Sequence, residues 1–273
     1  MNHHIPELAA NAYALLTLDR QIVGIKFAYD IEVYEKMPAR AMRAKIAYCV
    51  VVRAAMTGRS LKLSSDYSGC NGSSRALGFI TPTEAFTSGE LYHGLGLYKD
   101  LPTSKQVANS MITCRKSCYG IMAQPLEKYE NDLPDVVIVA TDARNAMRLL
   151  QGYTYSYGSH PVFKMTGNQA ICVECTSHPL EADQMNLSML CSGTRYLANW
   201  KPGEIAIGFP YHKFVETVEG LLKTADAVEL DPAKLRIQEN LVSQGFSDPN
   251  FQFGHTYYTD LEKKKALMRK KQS

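Results

Sequence analysis

Pro134 is followed by Asp135-Val-Val-Ile-Val-Ala140, then by Thr141-Asp142 and the segment Ala-Arg-Asn-Ala-Met-Arg-Leu-Leu-Gln-Gly-Tyr. The apolar run reads as a strand, and Thr141-Asp142 can cap the helix after it. The same unit returns at Glu204-Ile-Ala-Ile-Gly208, where Phe209-Pro210 leads into an amphipathic helix from Tyr211 to Thr224 and Pro210 suits a first helical turn. Two strand-turn-helix units imply a sheet with helices laid on its faces. Residues 22–28 read as a further buried strand, and residues 168–175 and 185–191 as strands between the two units. Residues 39–57 carry good helix formers and close at Gly58, which predicts a helix with Cys49 in its middle. A short helical turn is expected at Arg75-Ala-Leu-Gly-Phe-Ile80, and residues 84–98 are rich in helix formers.

The sum is an α/β (mixed α+β) fold, a layered sheet with flanking helices in a single compact domain. Residues 1–225 form that domain, and residues 226–273 read as a C-terminal extension with a basic tail. No fixed-period repeat and no linker rich in Pro, Gly or Ser breaks the chain. At 273 residues with 45% apolar and 21% charged, the balance is that of an ordinary globular protein.

Charge excludes one class of partner. Lys263, Lys264, Lys265, Arg269, Lys270 and Lys271 hold six positive charges, and removing them from the formal +3 leaves the body at −3. The body is therefore no nucleic-acid surface, and the tail reads as a solvated helix end. The opening Met-Asn-His-His-Ile-Pro-Glu-Leu lacks the pattern of a secretory signal. No apolar run approaches the roughly 20 residues that span a bilayer. A cytoplasmic protein follows as the expectation, with a small-molecule substrate or a redox partner protein and no membrane contact; a homo-oligomer is left open.

Seven cysteines, at 49, 70, 114, 118, 172, 175 and 191, are an odd number, and a reducing compartment disfavours a disulfide framework. Metal or redox chemistry is the better reason to carry them. Cys70-Asn-Gly72-Ser-Ser-Arg75 and Cys191-Ser-Gly193-Thr-Arg195 share one form: Cys, polar residue, Gly, hydroxyl, then Arg. An iron-sulfur cluster needs thiolates and close backbone N–H groups, because its sulfides accept hydrogen bonds and its net charge is negative. Gly72 and Gly193 would allow that approach, having no Cβ and tolerating positive φ. Arg75 and Arg195 are the candidates to hold substrate or to offset cluster charge. Cys49, with Cys172 or Cys175, would complete four ligands.

Competing readings use the same residues. A dispersed four-cysteine zinc site is the chief one, although only Cys172-x2-Cys175 and Cys114-x3-Cys118 have zinc-knuckle spacing and neither lies in a finger-like context. A thiol enzyme with Cys70 in an anion-binding loop is another. Cys70 to Arg75 leaves one residue too few for a cysteine phosphatase. Buried core packing competes for Cys49. His160 and His178, each followed by Pro, read as turn histidines, and Tyr153, Tyr155 and Tyr157 as packing residues. Gly208-Phe209-Pro210 before a helix suits an anion but equally an ordinary helix start. Dinucleotide, P-loop, zinc-protease and nucleophile-elbow motifs are absent.

The order of motifs resembles the bacterial and archaeal family catalogued as domain of unknown function 169. The residues are Val23-Gly-Ile-Lys26, Ala47-Tyr-Cys49, Cys70-x-Gly72 leading to Leu77-Gly78, Pro125-Leu-Glu127, Pro134-Asp-Val-Val137, the Ala146-Met147 helix with Tyr155 and Gly158, Gln169-Ala-Ile-Cys172, Asn186-x-Ser188-x-x-Cys191-x-Gly193-x-Arg195, and Glu204 to Gly208-x-Pro210. They span about residues 10 to 224. The resemblance implies that Cys49, Cys70, Cys172 and Cys191 form one constellation, since these positions carry cysteine in the family pattern and Cys114, Cys118 and Cys175 do not. The chain departs from the pattern at Leu190, where the family has glycine. It implies no activity. The resulting expectation is a [4Fe-4S] protein of anaerobic metabolism, a reductase or electron-transfer protein. Three thiols on the cluster instead of four would leave one iron open as a Lewis acid.

Overall fold

The computed structural model describes residues 5–130, 132–159, 162–245 and Arg269. The chain enters through α1 (Ile5–Leu15) and passes into β1 (Val23–Ala28), the buried strand expected there. Asp30 caps α2 (Ile31–Lys36), its carboxylate accepting from Val33 N at 2.8 Å. β2 (Arg40–Ala41), α3 (Tyr48–Ala55) and β3 (Leu61–Ser64) follow, then the short helices α4 (Asn71–Ala76), α5 (Glu84–Thr87), α6 (Glu90–Gly94) and α7 (Leu101–Ser110). β4 (Gly120–Pro125) leads to β5 (Val136–Thr141), and Asp142 caps α8 (Ala143–Tyr157) through Asn145 N at 2.8 Å. A π-helix (Ala170–Ser177) runs into α9 (His178–Ala182), then β6 (Asn186–Ser188), α10 (Ser192–Ala198), β7 (Ile205–Pro210), α11 (Tyr211–Val228) and α12 (Asp231–Ser243).

Seven strands form one mixed sheet in the order β2-β3-β4-β1-β5-β7-β6. β2 and β3 are parallel, and every other neighbouring pair is antiparallel. The central strands are buried on both faces, so alternate residues feed two cores. Val137, Val139, Ile207 and Phe209 face the layer of α1, α8, α11 and α12. Val136, Ile138, Ala140 and Ala206 face the layer containing α3, the π-helix and α10. The cysteines all belong to this second side or its margins.

One contact fixes the height of that second layer. Gly208 in β7 lies directly under the π-helix, and a Cβ there would stand 2.6 Å from Cys175 Cα and closer still to the Cys175 carbonyl oxygen. Glycine is required because the obstacle is backbone.

Two elements differ from the sequence expectation. Residues 39–57 are not one helix: Arg40–Ala41 pair with Leu61–Lys62 as an edge strand, and the helix begins only at Tyr48. Strand pairing overrides good helix formers there, and Cys49 lands in a first turn instead of a helix middle. Residues 168–175 are not a strand; Ala170–Ser177 is a π-helix. A short apolar run has no period by which to separate a strand from a buried helix. Pro210 ends β7 and precedes α11 instead of lying in its first turn.

Residues 226–245 hold the end of α11 and α12, and Ile237 and Leu241 of α12 are buried against the first core. Arg269 is exposed, while the other tail cations and His160 lie outside the described residues. Among the described residues, no helix is long and apolar enough to cross a membrane.

Candidate functional site

Four chain segments bring four thiols to one region of the second layer, and each thiol stands at the start of a helix. Cys49 is in the first turn of α3 and Cys172 in the first turn of the π-helix. Cys70 and Cys191 occupy the cap positions of α4 and α10. Helix starts present backbone N–H groups that lack intrahelical partners, the donors that sulfur and sulfide accept. At Cys191 one such bond is made: Thr194 N donates to Sγ at 3.3 Å.

The polar loop around Cys70 is fastened to the segment before Cys49. Ile46 N donates to Tyr67 O at 3.0 Å, and Gly69 N donates to Ile46 O at 2.8 Å. A Cβ on Gly69 would stand 2.9 Å from Ile46 N, so only glycine allows the two strands of chain to lie so close. Within the loop, Ser73 and Ser74 hydroxyls donate to Cys70 O at 2.9 and 3.1 Å, closing the start of α4. The Ser/Gly composition is thus a folding device for the loop.

Tyr48, next to Cys49, ties α3 to the π-helix through a buried hydroxyl pair with Thr176 at 3.0 Å. Thr194 joins the other side: its hydroxyl lies 3.2 Å from Cys191 Sγ. Arg195 does not face the thiols. Its guanidinium donates to Lys201 O at 2.8 Å, Met189 O at 2.8 Å and Glu204 O at 2.9 Å, clamping the two flanks of α10. The clamp is anchored in turn by Arg20, which forks onto the Glu204 carboxylate and stacks on Trp200 at 5.1 Å.

Burial pushes the Cys49 thiol up to about 11, against an ordinary 9.0, with the thiolates of Cys191 and Cys70 adding to the shift. Cys172 is pushed well above its ordinary value by burial first, and then by Cys70, Cys191 and Cys49. The charges acting on Cys172 are thus those of the other three thiols, and those acting on Cys49 are Cys191 and Cys70. Among the described residues, no group of three or more His, Cys, Asp or Glu is drawn together as a closed set of metal ligands. The donor chemistry itself is all sulfur, which suits iron-sulfur or zinc binding.

Gly72 and Gly193 leave room beside the thiols. The nearest atoms to a Cβ on Gly72 would be Gln169 Cδ at 3.5 Å and Cys70 Sγ at 3.6 Å, and one on Gly193 would meet nothing within 4 Å. Neither glycine has positive φ. The left-handed backbone belongs instead to Gln169, three residues before Cys172, and to Leu190, immediately before Cys191, with φ of 51° and 65°. Leu190 is the position where the resembled pattern carries glycine, and its φ gives the physical reason for that preference.

Arg75 is buried in the last turn of α4, its Cζ 4.4 Å from the Phe86 ring centroid. His178 is buried at the start of α9. Cys118 is buried and donates to Gly120 O and Ala28 O at 3.0 and 3.3 Å; Cys114 packs on the same core, and Cys175 is fully buried against Gly208. Burial raises all three thiols. Sequence reasoning missed Tyr48, Thr176, Tyr92 and Gln169, whose partners are remote in the chain. Thr194 had a signal: a hydroxyl residue three after a helix-capping cysteine.

The family model described as Uncharacterised ArCR, domain of unknown function 169, matches residues 13–220. An uncharacterized protein of Methanocaldococcus jannaschii is 26% identical over 223 residues, covering 80% of this chain and 94% of that protein. No solved structure matches.

Proposed function

Because the chain belongs to the domain of unknown function 169 family, whose description assigns no activity, we propose a role from its own residues: an iron-sulfur protein with a [4Fe-4S] cluster on Cys49, Cys70, Cys172 and Cys191. The observation that carries the reading is that four thiols from four separate segments stand at helix starts on one side of the sheet, Cys172 being raised by burial first and then by the charges of Cys70, Cys191 and Cys49.

When bound, such a cluster supplies one-electron transfer, or Lewis acidity if an iron is left open. The chain's own residues do the rest. At Cys191 the helix-start N–H of Thr194 and its hydroxyl both meet the sulfur, and Gly72 and Gly193 keep side chains out of the way. Arg195 acts as a positioning residue through the loop it clamps. The burial that raises Cys49 and Cys172 also means that loading must displace thiol protons. A cytoplasmic setting, a redox partner protein and a reductive step of anaerobic metabolism belong to the same proposal.

Anaerobic purification with iron and sulfide assays and electron paramagnetic resonance tests it. The expected result is equal iron and sulfide and a visible absorption that each of the four Cys→Ser changes removes, while Cys175→Ser does not. Zinc in place of iron, or a colourless protein after anaerobic reconstitution, would refute it.

A further inference from the structure

Arg75 is 5% exposed, and its Nε is sealed from water without a hydrogen-bond partner. A guanidinium keeps its proton in a protein, so burial leaves a full charge. Arg148, equally buried, shows what a structural arginine looks like here: Glu229 receives its Nε at 2.7 Å, with Gln151, Thr224 and Leu221 O satisfying the remaining nitrogens. Among the described residues no carboxylate pairs with Arg75. Its neighbours are a ring face, Phe86, with Cζ 4.4 Å from the centroid, and Tyr92, whose ring stands edge-on to Phe86 at 5.8 Å.

Tyr92 shares its environment with both Arg75 and Cys172. It also receives the side-chain amide of Gln169, whose Oε1 is buried without a partner. Whichever way that amide is turned, one of its ends is unmet. Gln169 holds the strained left-handed backbone before Cys172, and its side chain lies against Gly72 beside Cys70. An unpaired buried guanidinium nitrogen and an unmet amide oxygen, each costly alone, lie in the layer that holds Cys70 and Cys172, with Tyr92 among them.

We propose that Arg75, Tyr92 and Gln169 bind the carboxylate of a small organic acid beside Cys70 and Cys172. The planar fork of Arg75 matches two carboxylate oxygens; the Tyr92 hydroxyl, whose proton goes to a long contact with Met111 Sδ at 3.9 Å, can turn it to the acid, and Gln169 Nε2 has a second hydrogen beyond the one on Tyr92. This site goes beyond the iron reading and does not require it, although it would place a substrate acid next to the cluster.

The test is thermal unfolding of the full chain, purified anaerobically, with millimolar acetate, malonate or inorganic phosphate at constant ionic strength, with iron measured in every sample. Acetate and malonate are expected to raise the melting temperature by several degrees, and phosphate to do less. Arg75→Met removes an uncompensated charge, so it is expected to melt above the native protein without ligand and to lose the response. Arg75→Lys keeps the charge without the fork and is expected to weaken binding, as are Tyr92→Phe and Gln169→Met, each by about tenfold.

No response to either acid, a response to phosphate alone, or a response that survives Arg75→Met would overturn the proposal. So would a large loss of stability in Arg75→Met, which marks a structural cation. Iron separates the two readings. Loss of iron in Arg75→Met with no acid response in the native chain makes the cluster the counter-ion and sinks this site; an acid response in an iron-free native chain sinks the cluster and keeps the site.

Discussion

Gly208→Ala should damage stability and thiol assembly together. A Cβ at 208 would stand 2.6 Å from Cys175 Cα and from Cys175 C, where carbon contacts need about 3.5 Å or more. The two backbones must part by roughly 1 Å, and no rotamer change can relieve the contact because the obstacle is main chain. Gly208 is also held laterally, opposite Ile138 of β5 and Asn186 of β6. The π-helix therefore has to lift, with Cys172 on it. Overpacking typically costs about 1–3 kcal/mol, and a backbone obstacle on both sides argues for the upper end. At about 2–4 °C per kcal/mol for a domain of this size, the melting temperature should fall by roughly 6–12 °C. The assay is thermal unfolding followed by far-ultraviolet circular dichroism, paired with iron per folded chain after anaerobic reconstitution. Gly152→Ala is the control, since its Cβ would stand 2.9 Å from Leu221 Cγ and 3.0 Å from Leu221 N, between α8 and α11 on the opposite face. It should lose comparable stability yet load iron normally at temperatures where it is folded. A Gly208→Ala protein that melts with the native one would refute the packing argument. One that is destabilised but loads iron fully would refute the link from Gly208 to the thiols.

Other outcomes follow from the same geometry. Glu229→Gln strands the buried charge of Arg148 and should cost about 3–5 kcal/mol in urea unfolding, whereas the double change Arg148→Met, Glu229→Leu should be much milder. Because burial raises Cys49 to about 11, the folded chain holds that proton longer than the unfolded one; the stability this contributes in the metal-free protein is complete below pH 9 and drains away as pH climbs through 11. Peptide-level alkylation of Cys49 should accordingly accelerate over that window, and iron loading should block it. Leu190→Gly relieves a positive φ but gives up a side chain that is 5% exposed, so its net effect in denaturant unfolding should stay within about 2 kcal/mol, because strain relief of about 1–3 kcal/mol opposes lost burial of similar size. Thr194→Val removes the hydroxyl that lies on Cys191 Sγ and should lower iron retention during dilution while leaving the melting temperature nearly unchanged.

Much of the second layer was hidden from linear reading for identifiable reasons. The strand at 136–141 and the helix capped by Asp142 depend on local signals, and they appear as read. The segment around Cys49 was misjudged because its helix formers compete with a pairing to Leu61–Lys62 that no neighbour announces. The π-helix carries no local signal, because Ala-Ile-Cys-Val-Glu-Cys is buried at every position except the half-buried Cys172. The glycines beside Cys70 and Cys191 are legible as sites needing space, whereas the left-handed backbone belongs to Gln169 and Leu190. Arg75 and Arg195 looked equivalent in their matching motifs, and burial and partners separate them.

The sequence by itself determined the layered α/β architecture, the two strand-turn-helix units and the paired Cys-x-Gly turns, because periodicity, caps and small residues act over a few residues. Only the tertiary structure decided that Cys49, Cys70, Cys172 and Cys191 all stand at helix starts on one side of the sheet, that Arg195 is occupied by carbonyls, and that Arg75 is buried over Phe86. Those outcomes depend on contacts between residues tens to more than a hundred positions apart, such as Tyr48 with Thr176 and Cys175 with Gly208. Packing chooses such pairs by shape and by the need to satisfy buried polar groups, and neither quantity is written in the local order of residues.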